Sequence, residues 1–455
     1  MASRNLSWRP RGVSATQLVF VWFGSAILAG TILLWLPVSL ATPEIRIDLL
    51  AALFTSVSAA CVTGLTVVNV ADTFSPFGQA VILVLMELGG MGIMSFAVLG
   101  FQLFGRRLSL TQQAAAADAI YQNDAAREFG KTFRRIFRVT VSIQAGGAVL
   151  MGLALIPRHW GEPGGGSFLA WSAIFHSASA FCNSGFTLYQ DALTSLYGNI
   201  PFLAILMALV ILGGLGHLAL SEICRLPGLI RRRLRKPRWI SLHTRVTLVI
   251  TALIIALGIP GVWLLGTDSR GDASLWHAVF ETVVGRTAGF NICPQALLPL
   301  PTVLLVVLLM FIGGSPGSCA GGIKTTSIAI WIARIRANLR NDTNVNLFGY
   351  TIAPELVSRA RILMALTMLW NLLGIFILAI AHPDESLAVL IFEQVSAFGT
   401  VGLSLDLTPR LSSMARVWIC VSMFVGRLGP LSIALWLAPP AKGRVNRPIG
   451  RLMVG

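Results

Sequence analysis

A short pattern recurs four times in this chain, always in the same direction. It reads Phe54-TSVSAACVT-Gly64-Leu65, Phe175-HSASAFCNS-Gly185-Phe186, Phe280-ETVVGRTA-Gly289-Phe290 and Phe392-EQVSAFGTV-Gly402-Leu403. About 25 residues beyond each glycine comes a second small-residue cluster: Gly89-Gly90-Met91-Gly92, Gly213-Gly214-Leu215-Gly216, Gly313-Gly314-Ser315-Pro316-Gly317 and Gly426-Arg427-Leu428-Gly429. A fixed repeat is the strongest constraint a sequence places on architecture. Four copies in one orientation call for four equivalent units around a common axis. An inverted-repeat transporter would alternate the direction of its units.

The repeats sit in strongly apolar surroundings. Charged residues make up 12% of 455 and apolar residues 55%, against about 25% charged in a soluble domain. Charge-poor runs long enough for the ~20 residues of a spanning helix occur at 17–39, 77–104, 139–157, 201–223, 246–266, 301–333, 362–381 and 411–437. Four shorter segments at 50–68, 168–188, 274–291 and 386–404 carry the Phe-to-Gly pattern; each has a helical stretch too short to cross and reads as re-entrant. The predicted fold is therefore an all-α polytopic membrane protein. It has eight spans and four re-entrant short helices, as four parallel repeats of span, short helix, Gly tail and span around one central axis. The units are 1–104, 105–223, 224–333 with an intramembrane loop at 313–323, and 334–455 with a terminal tail. Arg4, Arg9 and Arg11 precede an apolar run as in a signal peptide, but Gly12–Pro43 carries no charge and is too long for an h-region. It reads as a retained first span.

The net charge is +16, and 27 of the 35 Lys and Arg fall in 1–16, 105–138, 224–245, 334–361 and 438–455. That is the positive-inside bias, and it places both termini in the cytoplasm. It accounts for the surplus without nucleic acid: Arg231-Arg232-Arg233-Leu234-Arg235-Lys236 reads as a stop-transfer and lipid-headgroup signal. The six cysteines include no CxxC pair, so neither a disulfide framework nor a zinc site is indicated.

Non-helical backbone at membrane depth is tolerated where it is buried or lines a water-filled path. Carbonyl rings can replace the hydration shell of a cation. The residues before each glycine differ in side chain, so main chain is expected to coordinate; the stretches are Val62-Thr63-Gly64, Asn183-Ser184-Gly185, Thr287-Ala288-Gly289 and Thr400-Val401-Gly402. Short helices ending there would aim their negative dipole ends at the axis. Four acids do not recur at one repeat position, which argues against a divalent carboxylate filter. Arg286 stands beside this region. Two readings apply to it, a structural pair with Glu281 or Glu393 that supports the filter, or a direct barrier to ions. Glu281 and Glu393 share a repeat position with Thr55 and His176 and are expected to bond loop N–H groups. Glu87 is an intramembrane acid, either functional or hydrogen-bonded to a neighbouring repeat. The sixth span is interrupted by Gly313, Gly314, Ser315, Pro316, Gly317, Ser318, Gly321 and Gly322, followed by Lys324. It is expected to be the one span that is not a single helix, and to form a plug that Lys324 and Arg427 hold in place. A membrane enzyme would need a catalytic cluster at one face; none is visible, so no catalytic residue is assigned.

The strings "FHSASAFCNSGF", "GRTAGFN", "SAFGTVGLS", "GGSPGSCAGGIKTT" and "GRLGPL" resemble the KtrB subunits of bacterial potassium-uptake systems, in the Trk/Ktr/HKT superfamily. The resemblance covers roughly 15–440 and implies the family fold, four M1–P–M2 repeats with re-entrant pore helices around one pore. It implies potassium uptake across the inner membrane through a channel-like pore, sodium-dependent in many such systems, with no organic cofactor in this chain. Gly64, Gly185, Gly289 and Gly402 would be filter glycines, 313–323 the gating loop and Arg427 the residue facing it. It further implies a homodimer and a cytosolic nucleotide-binding RCK ring of the KtrA type. The TrkH branch, with proton-linked transport, is the alternative, and an unrelated secondary transporter a more distant one. The chain departs from the family pattern at Glu87, where Gln is usual, and at His217, where Phe is usual. It also departs at Gly285, where a hydroxyl residue is common, and at Pro316.

Overall fold

The structure is a computed structural model that describes residues 15–91, 125–159, 165–231, 240–266 and 274–430. The basic segments 1–14, 105–124, 232–239 and 438–455, and the ends of the predicted second and eighth spans, lie outside the described residues.

The elements follow the repeat. In the first unit α1 (Ala15–Trp35) is followed by α2 (Leu49–Cys61) and α3 (Pro76–Gly90). The second has α4 (Ala125–His159), α5 (Gly165–Cys182) and the pair α6 (Ile200–Leu215) and α7 (His217–Arg231). The third has α8 (Leu242–Leu265), α9 (Leu275–Val284), α10 (Leu300–Phe311) and α11 (Thr325–Leu339). The fourth has α12 (Pro354–Ala381), α13 (Leu387–Gly399) and α14 (Ser413–Leu428). Among the described residues, Arg134–Pro157, Leu242–Leu265 and Pro354–Ala381 are long and apolar enough to cross a bilayer, and α6 with the start of α7 makes a fourth if counted as one bent span.

The short helices α2, α5, α9 and α13 have 13, 18, 10 and 13 residues. At 1.5 Å per residue all fall short of a ~30 Å hydrocarbon core, although α5 is longer than the pattern predicted. Local chemistry starts them: Asp48 accepts from Ala51 N–H at 3.1 Å and Ser386 from Val389 N–H at 3.4 Å, each satisfying an orphan amide of a first turn. The periodic Phe is the core anchor of every unit. Phe54, Phe175, Phe280 and Phe392 are all fully buried, and so are the residues after the glycines, Leu65, Phe186, Phe290 and Leu403. One apolar cluster joins units one and four and part of two; another joins two and three; a third joins three and four. Because α14 packs on α2, the last unit meets the first and the row of repeats closes on itself.

Three expectations need correction. The chain is not wholly α-helical: Asn346–Leu347 and Tyr350–Thr351 pair as a small antiparallel hairpin. Its turn residues Phe348 and Gly349 both have positive φ, 51° and 80°, as a two-residue primed turn requires. The sixth span is not alone in being broken: α6 and α7 diverge by 107° at Gly216. Finally, residues 125–138, read as part of a basic loop, begin the 35-residue helix α4.

Candidate functional site

Helices α2, α5, α9 and α13 end together, and the backbone after them turns left-handed. Val62, Asn183, Thr287 and Thr400 have φ of 57°, 57°, 150° and 49°. Two residues later Gly64, Gly185, Gly289 and Gly402 have φ of 91°, 74°, 69° and 98°. L-residues avoid this region because Cβ crowds the carbonyl, which explains the recurrent glycine.

The four glycines form a closed ring of backbone. A side chain on Gly64 would overlap the carbonyl oxygen of Ser184; one on Gly185 would meet that of Ala288, on Gly289 that of Val401, and on Gly402 that of Thr63. Each unit's glycine thus abuts the residue before the next unit's glycine, in the order one, two, three, four, one. Behind the ring, the N–H groups of Thr63, Ser184 and Val401 donate to Ser58, Ser179 and Ser396 carbonyls at 2.8, 2.8 and 2.9 Å, and Ala288 N–H donates to Val284 at 2.9 Å. Amides face outward into the short helices, leaving carbonyl oxygens on the ring. The hydroxyls of Thr63, Ser184 and Thr400 are buried without a protein partner. The dipoles of four converging helix C-termini add negative potential at the ring, which favours a cation over an anion there. Repeats two and three are also tied by side chains, the Asn183 amide and Thr287 hydroxyl lying 3.0 Å apart.

Serines were the missed supports. Gly64 N–H donates to Ser58 Oγ at 3.0 Å, Gly402 N–H to Ser396 Oγ at 3.2 Å, and Ser179 Oγ donates to Phe186 O at 2.8 Å. Their shared place, six residues before the ring glycine, was the available signal; Val283 occupies it in the third unit.

The stretch 312–324 crosses one side of the ring and ties all four units together. Within it, Gly313 N–H donates to Ile323 O at 2.9 Å, and Gly317 and Gly322 have φ of 72° and 61°. Ser315 and Cys319 N–H donate to Gly214 and Gly213 carbonyls at 3.0 and 3.3 Å. His217 donates from its backbone N–H and from Nδ1, at 3.2 and 2.7 Å, to Gly317 O. Ser315 Oγ meets Thr247 Oγ1 and His243 Nε2, both at 3.1 Å. Gly321 leaves no room for a Cβ against Thr400, and Gly314 lies against Gly214 and Ser318. Lys324 Nζ donates to Ala320 O at 2.5 Å and contacts Gly321 O at 3.5 Å. The buried Arg427 guanidinium donates to Cys319 O in the loop and to Gly89 O in the first unit.

The expected ion pair of Arg286 is not formed. Its Nη2 lies 3.4 Å from Gly313 O, at the start of the loop, and its Nε has no partner. Glu281 and Glu393 bond side chains rather than loop amides: Glu281 accepts from Gln295 at 3.0 Å, and Glu393 from Ser404 at 2.7 Å and from Thr408. Each therefore holds the segment that follows its ring glycine. His176 is closed into a local network, Nδ1 to Ser172 O at 2.7 Å and Nε2 to Thr187 Oγ1 at 3.1 Å. Glu87 accepts from Gln144 Nε2 at 2.7 Å, a bond between the first and second units.

Residues 14–442 match the TrkH family, described as Cation transport protein. This chain belongs to that family. Among its relatives in the Cation transport protein family, Ktr system potassium uptake protein B of Bacillus subtilis (strain 168) is 33% identical over 446 residues, covering 96% of each chain. Potassium/sodium uptake protein NtpJ of Enterococcus hirae is 33% identical, covering 97% of this chain and 98% of its own. Ktr system potassium uptake protein B of Vibrio alginolyticus is 31% identical over 96% of this chain and 94% of its own. The crystal structure of the potassium transporter TrkH from Vibrio parahaemolyticus superposes with a TM-score of 0.73 at 18% identity, over 96% of this chain and 87% of that one. The family is one of transporters, not enzymes, and its apolar helices fit a membrane protein.

Proposed function

We propose that this chain takes up potassium through a single pore on the axis of the four repeats, with Gly64, Gly185, Gly289 and Gly402 and their preceding carbonyls as the selectivity filter. The closed ring of four backbone contacts carries this reading. Unpartnered Thr63, Ser184 and Thr400 hydroxyls beside it suit a partly dehydrated monovalent ion. The relatives named as potassium uptake proteins support potassium, and the one named for potassium and sodium makes sodium the coupling ion to test. Eight spans with four re-entrant helices, both termini cytoplasmic in a bacterial inner membrane, follow from the repeat and the charge bias.

Residues 313–323 act as the gate in this proposal. They lie against Thr400 and are pinned by Arg427, Lys324 and Arg286. The system names of the relatives support an assembly of more than one component; in this proposal it is a homodimer bound to a cytosolic nucleotide-binding ring, as the sequence resemblance implies. A passive pore suffices for accumulation, since a membrane potential supplies ~2.3 kcal/mol per charge per 100 mV. The test is radioactive rubidium uptake into vesicles holding the protein and its partner, at an inside-negative potential, with and without sodium. Uptake that follows the potential is expected; no uptake above empty vesicles refutes the function. Uptake indifferent to sodium refutes sodium coupling alone.

A further inference from the structure

A groove of about 430 Å³ opens between α8, α11 and the small hairpin. Its lining changes character along its length. At one end Val246, Ile250 and Leu253 of α8, at helical spacing, face Ile332 of α11. Leu253 and Ile332 are half exposed, at 50% and 51%. One turn on from Ile332 stands Arg336, and one further turn on Arg340, both exposed. Residues four apart share a helix face, so the two guanidinium groups extend the apolar stripe on the same side. Beyond them the groove is lined by Asp342, Asn344 and Asn346, with Leu347 and Phe348 of the hairpin beside them.

An apolar trough that ends at two arginines has the polarity of a phospholipid lying along the bilayer normal. We infer that this groove binds an anionic phospholipid, its acyl chain along Val246, Ile250 and Leu253 and its phosphate at Arg336 and Arg340. The inference uses the orientation given under the proposed function, in which 334–361 lies on the cytoplasmic side, and is otherwise independent of transport. Charge complementarity selects the occupant: the groove runs from hydrocarbon depth to headgroup depth, where basic pockets between spanning helices hold anionic headgroups. Tyr350, about a third exposed, lies in the hairpin at the polar end, as aromatic residues do at a membrane interface. Asp342 opposes the phosphate and sets a limit on affinity. The site also touches the proposed gate, because α11 starts at Thr325, immediately after Lys324. A bound lipid would tie α11 to α8.

The experiment is native mass spectrometry of the full chain purified free of lipid, titrated with phosphatidylglycerol, with phosphatidylcholine, and with inorganic phosphate alone. Wild type is expected to retain phosphatidylglycerol and neither of the other two. Each arginine near a headgroup is worth ~1 kcal/mol, which is about 5-fold in affinity. The double variant Arg336→Gln, Arg340→Gln should therefore bind phosphatidylglycerol about 25-fold more weakly. Asp342→Asn should bind it about 5-fold more tightly, a gain that misfolding cannot imitate. Equal retention of the two lipids overturns the inference, as does an Asp342→Asn variant that binds no tighter. A double variant that keeps its lipid but loses dimer mass assigns the face to a second copy of the chain instead. None of these readings depends on ion flux, so a failed transport assay leaves them standing.

Discussion

Placing a methyl group on each filter glycine in turn tests the ring directly. In Gly64→Ala, Gly289→Ala and Gly402→Ala the new Cβ overlaps the next unit's carbonyl oxygen, and in Gly185→Ala it lies 2.6 Å from Ala288 O. Even at Gly185, the roomiest, the carbonyl must retreat by about 1 Å to reach an ordinary contact. Left-handed backbone at a non-glycine residue adds ~1–2 kcal/mol of strain. Gly64 and Gly402, at φ of 91° and 98°, depart further from the left-handed helical well than Gly185 and Gly289, at 74° and 69°. Gly185→Ala should thus be the mildest of the four: it has the most room, and only Gly289 has a φ closer to that well. If one displaced carbonyl removes 1.4 kcal/mol of preference for potassium, selectivity over sodium falls about tenfold. The assay is paired rubidium and radioactive sodium uptake into vesicles, with inserted protein measured for each variant. A rubidium-to-sodium ratio unchanged in all four would falsify the ring as the filter. Gly185→Ala proving the most damaging would refute the steric argument even if selectivity is lost.

Deleting residues within 314–322 should raise the initial uptake rate and leave the potassium concentration dependence nearly unchanged; a deletion that inserts and transports no faster shows that the loop is not the gate. Arg427→Ala leaves the carbonyls of Cys319 and Gly89 without their donor, a loss of ~1–3 kcal/mol. It should speed uptake more weakly than the deletion, in the same assay. Gly216→Ala puts a side chain at φ +83° with Pro316 O 3.1 Å away, so it should loosen the junction between α7 and the loop and lower the melting temperature; an unchanged melting curve would contradict the strain assigned there. Phe280→Ala empties a fully buried position and should cost ~3–5 kcal/mol of stability, read as a lower thermal midpoint in detergent, without altering ion selectivity in the molecules that remain folded.

The repeat was legible because its demands are local. Every unit needs a large apolar anchor in its short helix, hence Phe54, Phe175, Phe280 and Phe392, and every tail combines positive φ with a close approach of the next unit's carbonyl at one place, hence Gly64, Gly185, Gly289 and Gly402. The interruption at 313–322 was legible for the same reason, since no continuous helix tolerates that density of glycine. Partners across space were not legible. Arg286 has two acids within reach of a sequence argument, Glu281 on the helix just before it and Glu393 at the equivalent position of the fourth unit, yet its guanidinium points to Gly313 O. Glu393 is held by Ser404 and Thr408 and Glu281 Oε2 by Gln295, while Glu281 Oε1 stays unpartnered; packing, not the supply of acceptors, decides where the guanidinium goes.

The bend at Gly216 makes the same distinction most sharply. Gly213-Gly214-Leu215-Gly216 reads like the first unit's Gly89-Gly90-Met91-Gly92, and nothing in its composition announces a 107° turn. The turn forms where Gly213 and Gly214 give their carbonyls to Cys319 and Ser315, and where Gly317 O receives both donors of His217. Those partners are a hundred residues away along the chain. Residue pattern by itself determined which backbone could leave the helix; contact with the loop of another unit decided where it did.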